Sequence, residues 1–234
     1  SNPAPGSPEA ALDGPISKPQ GPAQGSPATA SQPIDSKSIT KQEEKVLYYS
    51  NDHIAFSVSS RGLGIKNVEI KNYKDDQNET IKVGLSDTVN LFELKMADGS
   101  EVYFDIQEIE KGKYKGTYSS PTIKIERNLE FNENNNSFKS MTKAESLDGK
   151  SVPPIAYMIP EKILENKSTS WLFPSYQHQD FYVAHENTTQ TVNFSSATEN
   201  ISQDIKGVNL LSIGSQYFAT AIIDQSDTIP EAKL

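Results

Sequence analysis

The stretch VLYYSNDHIAFSVSSRGLGIKNVEIKNY, residues 46–73, decides the fold of this chain. Within it Ile54, Phe56 and Val58 alternate with small residues. This period of two is typical of a strand that buries one face in a core. Gly62 and Gly64 then predict a turn in which both glycines adopt positive φ angles, and a second apolar pattern follows it. A core strand, a glycine turn and a further strand predict a β fold.

Strand patterns recur along the rest of the chain about 8 to 12 residues apart, with few helical periods between them. Asp98-Gly99 and Lys111-Gly112 predict tight turns between neighbouring strands. The predicted strands are residues 46–50, 53–59, 65–73, 80–85, 89–96, 102–110, 113–119, 122–131, 138–144, 180–185, 189–195, 205–213 and 216–224. The predicted inward-facing side chains are Ile54, Phe56, Val58, Val68, Ile70, Phe92, Leu94, Phe104, Ile106, Ile123, Ile125, Phe218 and Ile222. This spacing predicts an all-β domain of antiparallel sheets with little helix.

The composition of the chain changes near residue 34. Residues 1–33 hold eight of the 14 prolines and no aromatic residue. A segment of this composition cannot bury enough apolar surface to offset the entropy that ordering would cost. We therefore predict a disordered Pro/Gly/Ser-rich linker over residues 1–40 and a β-sandwich domain over residues 41–234.

Charge and cysteine content exclude several classes of function. The chain has 22 Lys and Arg against 31 Asp and Glu, a net charge of −9, which opposes general binding to nucleic acid. It has no cysteine, which excludes thiol catalysis, cysteine–zinc sites and iron–sulfur clusters. The most apolar run, residues 207–223, contains polar side chains and is split by Gly214, so we interpret it as two strands and not as a membrane span.

The ionisable residues predict no catalytic, metal or cofactor site. His178 and His185 are separated by an odd number of residues, so in a strand their side chains would point to opposite faces. Paired acids occur at residues 43–44 and 75–76, and at residues 108 and 110. We expect these acids to be solvated, because their hydrophilic surroundings lack the burial that acid–base catalysis needs.

Aromatic side chains cluster in the proline-bounded, irregular stretch of residues 148–178 and in the strand that follows it. The cluster comprises Trp171, Phe173, Tyr176, Phe181 and Tyr182. These side chains could line a groove for a sugar or a peptide, or they could fill the core where a loop crosses the edge of a sheet. Both interpretations stay open from the sequence alone.

Two segments resemble the large periplasmic domain of the YidC-type membrane protein insertases of Gram-negative bacteria. SSRGLGIKNVEIKNY, residues 59–73, resembles that family's strand, glycine turn and second strand. In NISQDIKGVNLLSIGSQYFATAIID, residues 200–224, the run QYFATA closely matches the family's pattern. The order of the strands between the two segments also fits. The proline-rich leader corresponds in position to the linker after the family's first transmembrane helix.

The resemblance implies a β-supersandwich similar to that of galactose mutarotases. It also implies a non-catalytic domain in the periplasm, attached to the inner membrane in the full-length protein. The implied partners are Sec translocon components such as SecDF and the nascent membrane proteins whose insertion and folding the insertase assists. The family's domain continues past the position of Leu234, so we expect a fragment or a shorter domain, and a monomer.

Two other functions remain open. A carbohydrate-binding module or a mutarotase-like sugar epimerase would share the sandwich architecture. An epimerase would need a buried carboxylate base and a histidine acid in one cleft. The candidates for that pair are His178 or His185 with Asp180 or Glu186. A surface lipoprotein domain, in contrast, would place the proline-rich leader after a lipidated cysteine.

Overall fold

The computed structural model describes residues 42–75, 77–84, 86, 88–160, 180–185, 188–193, 204–214, 218–227 and 231–233. Within these ranges the fold is all-β: the regular elements are strands, their pairings are antiparallel, and no helix is present. The fold class predicted from the sequence is confirmed. The described residues belong to one unit, Lys41–Leu234, and the predicted linker lies outside them.

The strands of the described residues follow the predicted order along the chain. They are β1 (Val46–Ser50), β2 (Ile54–Ser59), β3 (Ile65–Lys74), β4 (Thr80–Val83), β5 (Leu94–Met96), β6 (Asp105–Glu110), β7 (Lys113–Ser119), β8 (Ile123–Asn132), β9 (Ser137–Ser146), β10 (Ile155–Tyr157), β11 (Asp180–His185), β12 (Thr188–Asn193), β13 (Asp204–Lys206), β14 (Val208–Gly214), β15 (Ala219–Ile223) and β16 (Glu231–Lys233).

Two four-stranded sheets form a sandwich around one core. Their strand orders are β1-β2-β3-β4 and β6-β7-β8-β9. The core contains side chains from both sheets, among them Tyr49, Phe56, Val58, Ile65, Ile106, Tyr114, Ile125, Leu129 and Phe131. Burying one large apolar side chain of this kind contributes about 1.5 to 3 kcal/mol. This shared apolar core is therefore the main force that holds the two sheets together.

The alternation in β8 shows how the sequence pattern specifies the sandwich. Ile125 and Leu129 are buried, whereas Lys124 and Glu130 are exposed. Inward residues enter the core, and outward residues meet water, as the period of a half-buried strand requires. Strand β2 differs because all of its residues are buried, so both of its faces are covered.

A third four-stranded sheet has the order β12-β11-β14-β15. Strands β14 and β15 form an antiparallel hairpin in which Ser212 lies opposite Ala221. The apolar run 207–223 thus contains two strands, as predicted. Val183 of β11 is fully buried in a second core cluster. Two short ladders, β5 with β10 and β13 with β16, complete the sheets of the described residues.

Most of the predicted inward-facing side chains are buried. Buried positions are Ile54, Phe56, Val58, Val68, Leu94, Phe104, Ile106, Ile123 and Ile125. Ile70, Phe92, Phe218 and Ile222 are only half-buried. Phe218 packs beside Tyr73, with 5.9 Å between the ring centroids, and Tyr73 is itself exposed.

The strand predicted over residues 89–96 is wrong in its first half. Strand β5 covers only Leu94–Met96, and Phe92 has a φ of 56°. A positive φ lies outside the β region, so the chain turns at Phe92. As a result the consecutive residues Glu93 and Leu94 are both buried, which strict alternation would not allow.

Several other boundaries differ from the prediction; β6, for example, begins at Asp105 and not at residue 102. Gly207 has a φ of 71° and divides the predicted strand 205–213 into β13 and β14. The stretch 148–178, predicted to be irregular, contains β10, which pairs with β5. A three-residue strand gives too short a pattern to be detected in a proline-rich stretch.

Candidate functional site

The turn of residues 61–64, between β2 and β3, lies beside two buried charged residues, Glu93 and Arg127. These two residues form the charged centre of the sandwich. Gly62 has a φ of 62°, and its N–H donates to the Val102 carbonyl at 2.7 Å. Its own carbonyl accepts a hydrogen bond from the Leu94 N–H at 3.0 Å. A Cβ on Gly62 would overlap the Glu93 side chain and lie 2.6 Å from the Leu94 nitrogen. Only glycine fits this position.

Gly64 is required for a different reason. Gly62 has the predicted positive φ, but Gly64 does not, so that part of the prediction is wrong. A Cβ on Gly64 would lie 2.6 Å from the Cβ of Asn90. Close packing, and not backbone conformation, therefore imposes this second glycine.

Glu93 is a fully buried carboxylate beside the turn. Its Oε2 accepts hydrogen bonds from Arg61 Nε at 3.1 Å and from the Asn90 N–H at 2.7 Å. Its Oε1 lies 3.6 Å from Lys95 Nζ. A buried charge is tolerated only when opposite charges and hydrogen-bond donors compensate it. Each carboxylate oxygen of Glu93 has a cation beside it.

Arg127 of β8 is only 1% exposed and reaches the same turn from the second sheet. Its Nη1 donates to the carbonyls of Gly62 at 2.5 Å and Phe92 at 2.9 Å, and its Nε donates to Ser140 Oγ at 3.0 Å. The guanidinium lies 4.9 Å from the ring centroid of Tyr157. Burial lowers the pKa of Arg127 to about 10, so it remains a cation at neutral pH. Arg127 therefore connects the two sheets through the turn.

A polar cavity of about 220 Å³ lies next to this charged centre. Its charged lining residues are Glu44, Arg61, Lys66, Glu69 and Lys82. Glu44 accepts a hydrogen bond from Lys66 Nζ at 3.2 Å, and Glu69 lies 4.0 Å from Lys82 Nζ. The volume is below the range of pockets that hold drug-sized ligands. A small polar group would fit this cavity.

The acids of the cavity are held by cations. Partial burial raises the pKa of Glu44, but hydrogen bonds from Ser59 and Lys66 outweigh that effect, so its pKa lies below the usual 4.5. A carboxylate stabilised in this way is a poorer base than a free one. Glu69, the second acid of the cavity, also has a cation beside it, Lys82.

Two of the five aromatic residues that could line a groove or fill the core are described. Phe181 and Tyr182 are consecutive in β11, so their side chains point to opposite faces of the sheet. Phe181 is half-buried, and Tyr182 is 40% exposed. Trp171, Phe173 and Tyr176 lie outside the described residues. The choice between groove and core therefore stays a prediction.

The histidine and acid candidates are also only partly described. His53 is exposed, and its Nδ1 lies 2.5 Å from Asn72 Nδ2. Asp180 and His185 are the first and last residues of β11. His178 and Glu186 lie outside the described residues. Glu44, expected to be solvated, is instead half-buried and ion-paired with Lys66.

Comparison of the chain with protein-family models, curated proteins and solved structures gave no significant match. In the part of the chain that the structure describes, no three His, Cys, Asp or Glu residues form a group that could hold a metal ion. The same part contains no helix long and apolar enough to cross a membrane. The resemblance to the insertase family rests on the sequences of residues 59–73 and 200–224.

The buried charges Glu93 and Arg127 are missing from the residues that the sequence singles out. For Arg127 a signal exists, because it occupies an inward position of β8 between Ile125 and Leu129. A charged residue in such a position must find partners inside the core. For Glu93 the sequence carries no such signal, since the turn at Phe92 interrupts the alternation.

Proposed function

We propose that this chain is a non-catalytic periplasmic domain of a YidC-type membrane protein insertase, attached to the inner membrane in the full-length protein. It acts through surface contacts with Sec components such as SecDF and with nascent membrane proteins. The observation that carries the proposal is where the two resembling segments lie. Residues 59–73 supply the glycine turn and β3. The described part of residues 200–224 supplies β13 and the β14–β15 hairpin.

The glycines in both segments have structural reasons, which supports a resemblance of fold and not only of composition. Gly62 and Gly64 lie against Glu93, Leu94 and Asn90 with no room for a Cβ. In the second segment a Cβ on Gly214 would lie 2.7 Å from the Cβ of Ala219. Each segment therefore combines a strand pattern with a glycine that the local packing requires.

The use of charge in the sandwich supports a non-catalytic role. Arg127 and Glu93 hold the two sheets and the turn together, and their polar atoms are directed at backbone groups, at the Ser140 hydroxyl and at opposite charges. The acids of the neighbouring cavity are paired with lysines. The lowered pKa of Glu44 makes it a weaker base, whereas a general base that works near neutral pH needs a raised pKa.

A deletion experiment in a bacterium that depends on the full-length parent tests the proposal. We expect deletion of residues 46–160 to leave insertion of a model inner-membrane protein largely intact. Deletion of residues 204–233 should do more harm, because in the resembling family the final strands lead into the membrane core. Growth and insertion are measured together, with immunoblots to confirm equal amounts of each variant. Equal tolerance of both deletions would contradict the proposal.

An enzyme assay tests the alternative of a mutarotase-like epimerase. We expect the purified chain to show no sugar epimerase turnover. Turnover that disappears in His178→Ala or His185→Ala would overturn the proposal in favour of the carbohydrate enzyme. His53→Ala is the matched control, because His53 is exposed and lies outside β11.

A further inference from the structure

One face of the β14–β15 hairpin carries no charged side chain. The residues that share this face in register are Leu210, Ser212, Gly214, Ala219, Ala221 and Ile223. The outer face of strands β7 and β8 is the opposite case, with Lys113 opposite Glu130 and Lys115 near Glu126. On β15 the side chains of this uncharged face are exposed, which is unusual in an acidic chain.

Strand β15 forms one edge of its sheet within the described residues. The Asp224 N–H donates to the Asn209 carbonyl at 2.9 Å, so the even-numbered residues here are the ones that bond to β14. In an antiparallel ladder, alternate residues bond to the neighbouring strand. Ala219, Ala221 and Ile223 therefore direct their N–H and C=O groups away from β14.

The same three residues of β15 have exposed side chains. Ala219 and Ala221 are exposed, and Ile223 is 63% exposed. Outward backbone groups and small or apolar side chains thus coincide on one edge. Such an edge is a template for pairing with another strand.

Most other edge strands of the four-stranded sheets carry charges that oppose pairing, and the uncharged edge β12 offers a single apolar residue, Val192. Exposed lysines stand on β4 and β9, and exposed glutamates stand on β6. Strand β1 is uncharged, but a copy of β1 paired about Tyr48 would place Glu44 opposite Asp52 at both ends. Like charges directly opposite each other destabilise a pair of strands. Strand β15 has no such obstacle.

We propose that β15 is a dimerisation edge, to which β15 of a second copy of this chain adds in antiparallel orientation. The sequence of β15 is self-complementary about Ala221. Ala221 lies opposite itself on the two-fold axis, and each Ala219 lies opposite the Ile223 of the second copy, so a small side chain meets a large one. In this register the outward N–H and C=O groups of all three residues find partners.

The result is one continuous eight-stranded antiparallel sheet across the dimer. Phe218 then lies opposite Asp224, so no two like charges face each other at the ends of the paired strands. A five-residue edge gives a small interface, of the size found in transient complexes. This inference replaces the expectation of a monomer and does not rest on the proposed function.

Single cysteine substitutions test the register, because the natural chain has no cysteine. In the proposed dimer of Ala221→Cys, the Cα atoms of the two substituted residues lie about 5.5 Å apart, within the range of a disulfide. In Ala219→Cys the two Cα atoms lie four residues apart along the sheet, about 13 Å. Under mild oxidation with copper–phenanthroline, Ala221→Cys should form at least about ten times more covalent dimer than Ala219→Cys, since only its geometry permits the bond.

A second measurement covers the case in which oxidation perturbs the protein. In sedimentation velocity, the weight-average sedimentation coefficient of the unmodified chain should rise with concentration. Ile223→Lys should abolish that rise, whereas Met141→Lys, at a comparably exposed position on β9, should preserve it. Equal cross-linking of the two cysteine variants, or a monomer at every concentration, would overturn the proposal. A monomer that nevertheless binds an extended peptide at β15 would assign the edge to another partner.

Discussion

The charges of this protein fall into two groups that differ in depth. Arg127 and Glu93 lie at the glycine turn with almost no solvent exposure. Lys115 and Glu126 pair at 2.9 Å on the outer face of β7 and β8, where both are partly exposed. The same kinds of group thus occur inside and outside one sheet. Burial makes the first group costly to disturb, because a lost partner cannot be replaced by water.

The difference shows where electrostatics determines structure in this fold. The buried group fixes the glycine turn against β5 and β8, so it specifies how the two sheets meet. The exposed group keeps an outer face in water, which any mixture of charges would also achieve. Substitutions in the buried group should therefore lower the free energy of unfolding more than substitutions in the exposed group.

The largest effect is expected for Arg127→Met. The change removes two charge-assisted hydrogen bonds inside the core, to the carbonyls of Gly62 and Phe92, and of these only the Gly62 carbonyl keeps another donor, the Leu94 N–H. It should lower the free energy of unfolding by about 3 to 5 kcal/mol. Urea denaturation measures the loss. Lys115→Met, a similar change on the outer face of the same sheet, should have little effect. Similar losses in both variants would remove the distinction between the two groups.

The next effect isolates the close packing at the turn. Gly62 and Gly99 both have positive φ angles, 62° and 88°, but only Gly62 has neighbours where a Cβ would stand. Backbone strain of about 1 to 3 kcal/mol is shared by Gly62→Ala and Gly99→Ala. The overlap with Glu93 and Leu94 adds to it only at Gly62. Urea denaturation of both variants should therefore give a greater loss for Gly62→Ala, and equal losses would show that the turn relaxes freely.

Sequence alone predicts the strands of this fold better than its charged centre. In β8 the apolar residues Ile125 and Leu129 alternate with charged ones, and this local pattern is enough to place the strand. The burial of Glu93 depends on Arg61 and Lys95 and on the positive φ of Phe92. These are contacts made by the folded chain, and no local period encodes them.

An intermediate effect concerns pH and Glu44. The pKa of Glu44 lies below its usual 4.5 in the folded protein, so this carboxylate contributes stability above the pKa of the unfolded chain. That contribution is lost as the pH falls through the folded pKa. We expect Glu44→Gln to destabilise the protein at pH 7 and to cost less at pH 3, as measured by urea denaturation. Glu43→Gln, at the exposed neighbour, should show no such change, and a constant cost of Glu44→Gln across this range would contradict the ion pair with Lys66.

The smallest effect is expected for the exposed pair of Lys115 and Glu126. Both side chains are partly exposed, so water and salt compete with their attraction. A double-mutant cycle with Lys115→Met and Glu126→Gln should give a weak coupling at low ionic strength that disappears in 1 M salt, where the Debye length falls to about 3 Å. A coupling that persists in high salt would show that this pair is shielded from solvent. The outer face would then resemble the charged centre, and depth would no longer separate the two groups of charges.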